Sequence, residues 1–269
     1  MLIASHLTKV IGKRTIVDDV SFELHPGEVF GFLGPNGAGK TTTIRMLVGL
    51  IRPTEGSVTI CGFDLRHDFE NAMRCIGCIV ENPDLYRFMT GRENLEHFAR
   101  MLRVDPREID RVATLVNLAH RLDQRVGTYS LGMRQRLGIA QAMLGDPRVL
   151  ILDEPANGLD PAGIREIREL LRTLAVERQM AIFVSSHLLA EVELICDRVA
   201  IIHKGKILRS GNVRDLIAKR RVVEIDTDDA ERAGALLREH GIDAEIRGSE
   251  RMQTLEEMFL ETTGGETVG

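Results

Sequence analysis

The run GPNGAGKTT (Gly34–Thr42) limits what this chain can become more than any other stretch. It fits G-x-x-x-x-G-K-[ST] and stands between a short apolar run, EVFGFLG (Glu28–Gly34), and a helical segment, Lys40–Leu50. Strand, glycine loop and helix in that order build a cradle for phosphates. The glycines let backbone N–H groups turn inward, and the helix N-terminus adds partial positive charge. Gly34, Pro35, Asn36, Gly37, Ala38, Gly39, Lys40, Thr41 and Thr42 are therefore predicted to hold a polyphosphate. Lys40 can reach the β- and γ-phosphates, and Thr41 offers a hydroxyl to Mg²⁺.

A second stretch supplies the acids such a loop needs. VLILDEP (Val149–Pro155) is four apolar residues followed by Asp153 and Glu154. Ligands of parallel sheets sit at the C-terminal ends of strands, where Asp153 emerges; it is predicted to hold Mg²⁺. Glu154 follows directly and could orient and deprotonate an attacking water.

Around these motifs, apolar β-rich runs alternate with amphipathic stretches. That is the pattern of an α/β fold with a largely parallel sheet, a P-loop NTPase core. MAIFVSS and RVAIIH are further strands, and Pro161–Arg178 is a helix with Ile164, Ile167, Leu170, Leu171 and Leu174 on one face. IASHLTKV and TIVDDVSFEL, separated by Gly12-Lys13-Arg14, predict an N-terminal antiparallel β hairpin region. Residues 85–145 carry helices, Glu93–Leu102 and Glu108–Leu118 among them, and no strand-like run, so they form a helical insertion subdomain. The expected division is an ATP-binding domain over 1–220 and a small α+β C-terminal appendage over 221–269, with strands, a helix to His240, a helix near Leu255–Leu260 and a frayed end.

Composition excludes several classes. A net charge of −5 without a Lys/Arg block argues against a nucleic-acid groove, and no uncharged stretch is long enough to span a bilayer. The N-terminus lacks the pattern of a signal peptide, so the chain is expected in the cytosol. Four cysteines suit a reducing compartment. Cys75 and Cys78 form C-x-x-C, but CIGCIV reads as a buried strand with the two thiols on opposite faces, and no second pair stands at zinc spacing.

One more stretch, GTYSLGMRQRLG (Gly127–Gly138), enters a helix with a serine at its start. Ser130 there can be an N-cap, or part of a second anion site.

GPNGAGKTT, then YSLGMRQ (Tyr129–Gln135), then LILDEPANGLDP (Leu150–Pro161), then SSH (Ser185–His187) resemble, in this order, the ATP-binding subunits of ABC transporters. The resemblance covers about residues 2–220. ENPDLYRFMTGRENL, YSLGMRQRLGIAQAML and LEEMFLETTGG are similar to the group that exports bacitracin and lantibiotics for self-protection.

The resemblance implies an ATPase that binds ATP and Mg²⁺ and pairs head-to-tail with a second copy or a homologous subunit. Ser130 and Gly132 would then bind the γ-phosphate of the partner's ATP, with Asp160 along the same interface. Tyr129, Leu131 and Met133 depart from the commoner L-S-G-G-Q. His187 would face the γ-phosphate and hold the water and Glu154. Glu81 stands where the family has a metal-sensing Gln, and Ile11 where it has an aromatic residue that stacks on adenine.

The resemblance also implies a separate integral membrane permease, docked on the helical insertion and the segment Glu81–Arg87. The chain would work at the cytoplasmic face of the cell membrane, exporting a drug, peptide antibiotic or lipid-like substrate. No nucleic-acid partner is expected. The alternative is a soluble ABC-type ATPase in translation or DNA repair, but such proteins usually join two ATPase halves or carry a coiled-coil insert. A GTPase switch would leave YSLGMRQ unexplained and lacks N-K-x-D. A nucleotide-binding regulator without turnover would not need Glu154 and His187.

Overall fold

A computed structural model describes residues 1–81, 83–217, 219–220, 232, 236–237, 239–240 and 251–252. Strands β1 (Leu2–Ile11) and β2 (Arg14–Leu24) make the expected hairpin, which turns at Gly12 with φ +62°. Strand β3 (Val29–Leu33) leads through the glycine loop into helix α1 (Lys40–Leu47). Strands β4 (Glu55–Ile60) and β5 (Phe63–Asp64), helix α2 (Phe69–Arg74) and strand β6 (Ile76–Ile79) follow. The helical insertion is α3 (Gly91–Leu102), α4 (Arg107–Leu115) and α5 (Leu131–Ala142).

The chain then returns to the sheet with β7 (Val149–Asp153), α6 (Pro161–Arg178), β8 (Ala181–Ser186), α7 (Leu189–Ile195) and β9 (Arg198–His203). Strand β10 (Lys206–Asn212) and helix α8 (Val213–Leu216) come next. Lys219–Arg220 (β11) pairs antiparallel with Arg251–Met252 (β12). The remaining expectations for the C-terminal appendage lie outside the described residues.

The main sheet has the order β10-β9-β3-β8-β7-β6 and is parallel except for its β10 edge. Strands β3, β8 and β7 at its centre are buried along their whole length because both faces of the sheet are covered there. Val29, Leu33, Leu150, Leu152, Ile182 and Val184 join one core with the helices of the insertion and α6. Phe30, Phe32, Val149, Ile151 and Phe183 face the other way, onto α1 and the antiparallel sheet β2-β1-β4-β5. Successive side chains of each strand thus feed two separate cores. In the second, the rings of Phe22, Phe30, Phe32 and Phe183 pack 5.4–6.2 Å apart.

Three local expectations change. The hairpin region grows into a four-stranded sheet, because β4 pairs with β1 from Leu2↔Ile60 to Thr8↔Glu55. Strand β4 buries only Val58 and Ile60, so its own pattern carries little strand signal. Cys75 caps the C-terminus of α2 instead of lying in the strand, and Cys78 is exposed on β6, the edge of its sheet. All four cysteines are free, and no metal-holding cluster of Cys, His and acids occurs among the described residues.

Candidate active site

The C-terminal ends of β3, β8 and β7 lie side by side, and each delivers one part of the site. At β3, Gly34 passes so close to β9 that a Cβ there would stand 2.3 Å from the Ile202 carbonyl. Gly39 takes φ +110° just before α1, a conformation that side chains resist. The loop can therefore close on itself and aim α1's N-terminus at a ligand. Lys40 Nζ donates to Gly34 O at 2.6 Å and Pro35 O at 3.3 Å, and lies 3.6 Å from Glu154 Oε1. Burial lowers the pKa of Lys40, and the Glu154 and Asp153 carboxylates oppose that shift.

At β7, Asp153 is buried, with its two oxygens in different employment. Oδ1 accepts from Ser185 Oγ at 2.5 Å, while Oδ2 faces Thr41 Oγ1 at 3.4 Å. A hydroxyl and a carboxylate oxygen facing each other are the hard donors that Mg²⁺ takes. Glu154 adopts φ +48°, which turns the chain sharply off the strand. Its amide donates to Ser185 Oγ at 3.0 Å and Ser185 O at 3.2 Å. Its Oε2 lies 3.1 Å from His187 Nδ1, out of line for a hydrogen bond, and Asn157 Nδ2 donates to the same oxygen at 3.4 Å.

Lys40, Thr41, Asp153, Glu154 and His187 thus converge, as their motifs predict. Glu81 lies two residues past the end of β6 with φ +67°, and its carboxylate binds Arg45 Nη2 at 2.7 Å. Arg45 is one turn along α1 from Thr41, so Glu81 is tethered beside the phosphate helix. Ile11, at the turn end of the hairpin beside Gly12, is 56% exposed.

Ser130, Gly132 and Asp160 form a different surface. Ser130 is exposed and caps α5, accepting from the Met133 amide at 3.2 Å. Asp160 caps α6, accepting from Gly163 N at 2.9 Å. Leu131 and Leu159 bring the two helix starts together: a Cβ on Gly158 would touch Leu131 at 3.3 Å, and one on Gly132 would touch Leu159 at 3.8 Å. Among the described residues, no hydrogen bond or ion pair links these three to Lys40, Thr41 or Asp153.

Two contributors lie inside quoted motifs, but their roles are not read from them. Ser185 is one, and Asn94 of α3 is the other. Fully buried, Asn94 accepts from Tyr86 N at 2.8 Å and donates to Tyr86 O at 3.0 Å and Thr90 O at 2.8 Å. It pins the segment after β6, which also presses Pro83 against Gly138 of α5. Pro83, Leu85 and Arg87 with Leu131, Arg134 and Gln135 line a groove of about 320 Å³. An asparagine in a helical run gives no outward sign of such a clamp.

The sequence profile described as ABC transporter matches residues 17–157, more than half of the chain. The chain belongs to the ABC transporter ATP-binding family. An ABC transporter ATP-binding protein of Bacillus subtilis (strain 168), YhcH, is 60% identical over 211 residues, covering 78% of this chain and 69% of its own. The bacitracin transport ATP-binding protein BcrA of Bacillus licheniformis is 46% identical over 236 residues, covering 87% of this chain and 77% of BcrA. A solved structure of an ATP-binding subunit of an ABC transporter, 29% identical, superposes with a TM-score of 0.73 over 98% of this chain and 99% of that one. This ABC cassette therefore binds and hydrolyses ATP as the nucleotide-driven subunit of a transporter, with the fold and the bacitracin-type likeness that its motifs predicted.

Proposed function

We propose that this cassette hydrolyses ATP between two copies of itself and drives a separate permease that exports a peptide antibiotic, drug or lipid-like molecule. The convergence of Lys40 Nζ, the Glu154 carboxylate and the His187 ring at adjoining strand ends carries the reading. Residues 1–220 would form the cassette and 221–269 an accessory unit.

Lys40 rests on loop carbonyls and its charge faces Glu154. Phosphate oxygens take over Lys40 and release the Glu154 carboxylate to act as a base. The carboxylate takes a proton from water as the water oxygen bonds to the γ-phosphorus and the bond to the ADP oxygen breaks. His187, whose Nδ1 lies 3.1 Å from Oε2, would hold the water and that carboxylate in place. Thr41 and Asp153 would hold Mg²⁺, which supplies neutralisation of phosphate charge, with Glu81 reaching the metal region from its tether on Arg45.

Ser130 serves both of its sequence readings at once. Its oxygen accepts the capping bond, so its O–H remains to donate outward to a partner's γ-phosphate. Among the described residues nothing demands glycine at position 132, where a Cβ would make only ordinary contact. Its N–H near the start of α5 is open to an anion from outside. Asp160 shares that surface. The groove between Pro83–Arg87 and α5 suits a permease segment, because α5 would join that contact to Ser130 at its own N-terminus. The working position is then peripheral, on the cytoplasmic face of the membrane. No helix among the described residues is long and apolar enough to cross it.

Bacitracin is the first substrate to test, on the likeness to BcrA. Production of the chain with its permease in a sensitive bacterium should raise the inhibitory bacitracin concentration several-fold, and Glu154→Gln should remove the gain. Equal protection by both forms would overturn ATP-driven export.

Ile11 gives adenine an apolar surface without a π-face. Ile11→Tyr should tighten ATP binding by about 1–3 kcal/mol, the usual worth of base–aromatic stacking. Titration calorimetry measures it, and equal affinities would remove Ile11 from the base site.

A further inference from the structure

We propose that Ser185 is a positioning residue that sets both acids of the site, an inference that rests on reading Asp153 as a metal ligand and Glu154 as the base. Ser185 is fully buried on β8, the strand between β3 and β7, and its backbone register places it opposite Asp153. Its hydroxyl hydrogen goes to Asp153 Oδ1 at 2.5 Å. Ser185 Oγ in turn accepts from the Glu154 amide at 3.0 Å, alongside the Ser185 carbonyl at 3.2 Å.

These bonds have two consequences. Oδ1 accepts the short bond from Ser185 and Oδ2 only the long one from Thr41, so Oδ2 is the freer oxygen for a cation, and the carboxylate plane is held in one orientation. The Glu154 amide is tied where the backbone turns to φ +48°, which directs the carboxylate toward Lys40 and His187. A residue that reads as half of a strand end in SSH therefore orients the first metal oxygen and the base together. Groups that orient a metal ligand typically change metal affinity 10–100-fold when removed.

The test compares the parent with Ser185→Ala and Ser185→Cys; the cysteine nearly keeps the volume but is a poor donor. Each is titrated with Mn²⁺ in the presence of an ATP analogue that resists hydrolysis, following the manganese EPR signal. Affinity for the analogue without metal and the melting temperature are measured beside it. Both variants should lose about 10–100-fold in Mn²⁺ affinity, with metal-free nucleotide affinity unchanged and a Mg²⁺ activation curve moved to higher concentration. Parental Mn²⁺ affinity in Ser185→Cys would overturn the inference. So would equal losses with and without metal, because those mark packing alone. Asp153→Asn run in parallel separates the two levels: Mn²⁺ binding that survives it overturns the metal reading itself, and this inference with it.

Discussion

Glu154→Gln is expected to lower the steady-state ATPase rate by about 10²–10⁴-fold, the usual contribution of a placed general base, while ATP still binds. Glutamine keeps the length and shape of glutamate, so the turn at position 154 and the approach of Asn157 and His187 can persist. It cannot accept the water's proton at pH 7. It also removes the negative charge that faces Lys40 at 3.6 Å, and with it a competitor for the lysine against the γ-phosphate. The loss should therefore appear in kcat, with nucleotide affinity equal to or tighter than that of the parent. Phosphate release measures the first quantity and equilibrium dialysis the second. A parental rate would place the base elsewhere in the site.

The second large effect concerns assembly. In the Glu154→Gln background, Mg²⁺-ATP should double the mass seen by light scattering, and Ser130→Arg should abolish the doubling. Ser130 is exposed and its cap on α5 is one hydrogen bond, so the arginine costs the fold only about 1 kcal/mol. Its bulk and length would fill the space a partner's phosphate needs. The phosphate loop of the same chain has no bond to Ser130, so ATP binding by a single chain should be untouched. That combination, nucleotide retained and dimer lost, distinguishes a surface acting on the neighbour from a residue needed at home. Dimers that survive the arginine would leave Ser130 as a helix cap.

Much of the cassette was legible because its chemistry is local. The phosphate loop is nine consecutive residues running from the end of a strand into the first turn of a helix, and the expected task of each follows from that short geometry. The acid pair is likewise contiguous with its own strand. Helix α6 is readable to its ends because Asp160 caps it, Pro161 opens it and its apolar residues recur on one face. Strand β4 and the lodging of Cys75 were not legible, since β4 pairs with β1 and the Cys75 carbonyl accepts from the Arg148 and Val149 amides, partners far along the chain.

The amino-acid sequence by itself determined the candidates for a phosphate cradle, a metal-side carboxylate and a base, and a serine that caps a helix. Those functions reside in residue types at fixed short spacings. Only the tertiary structure decided how they meet. Inserting β8 between β3 and β7 brings Ser185 onto Asp153 and sets Thr41, 112 residues away, within 3.4 Å of the same carboxylate. It also showed Ser130 and Asp160 sharing a surface through Leu131 and Leu159. The reason is that periodicity records which face of an element is buried, whereas the order of strands in a sheet depends on contacts between distant segments, which no local pattern encodes.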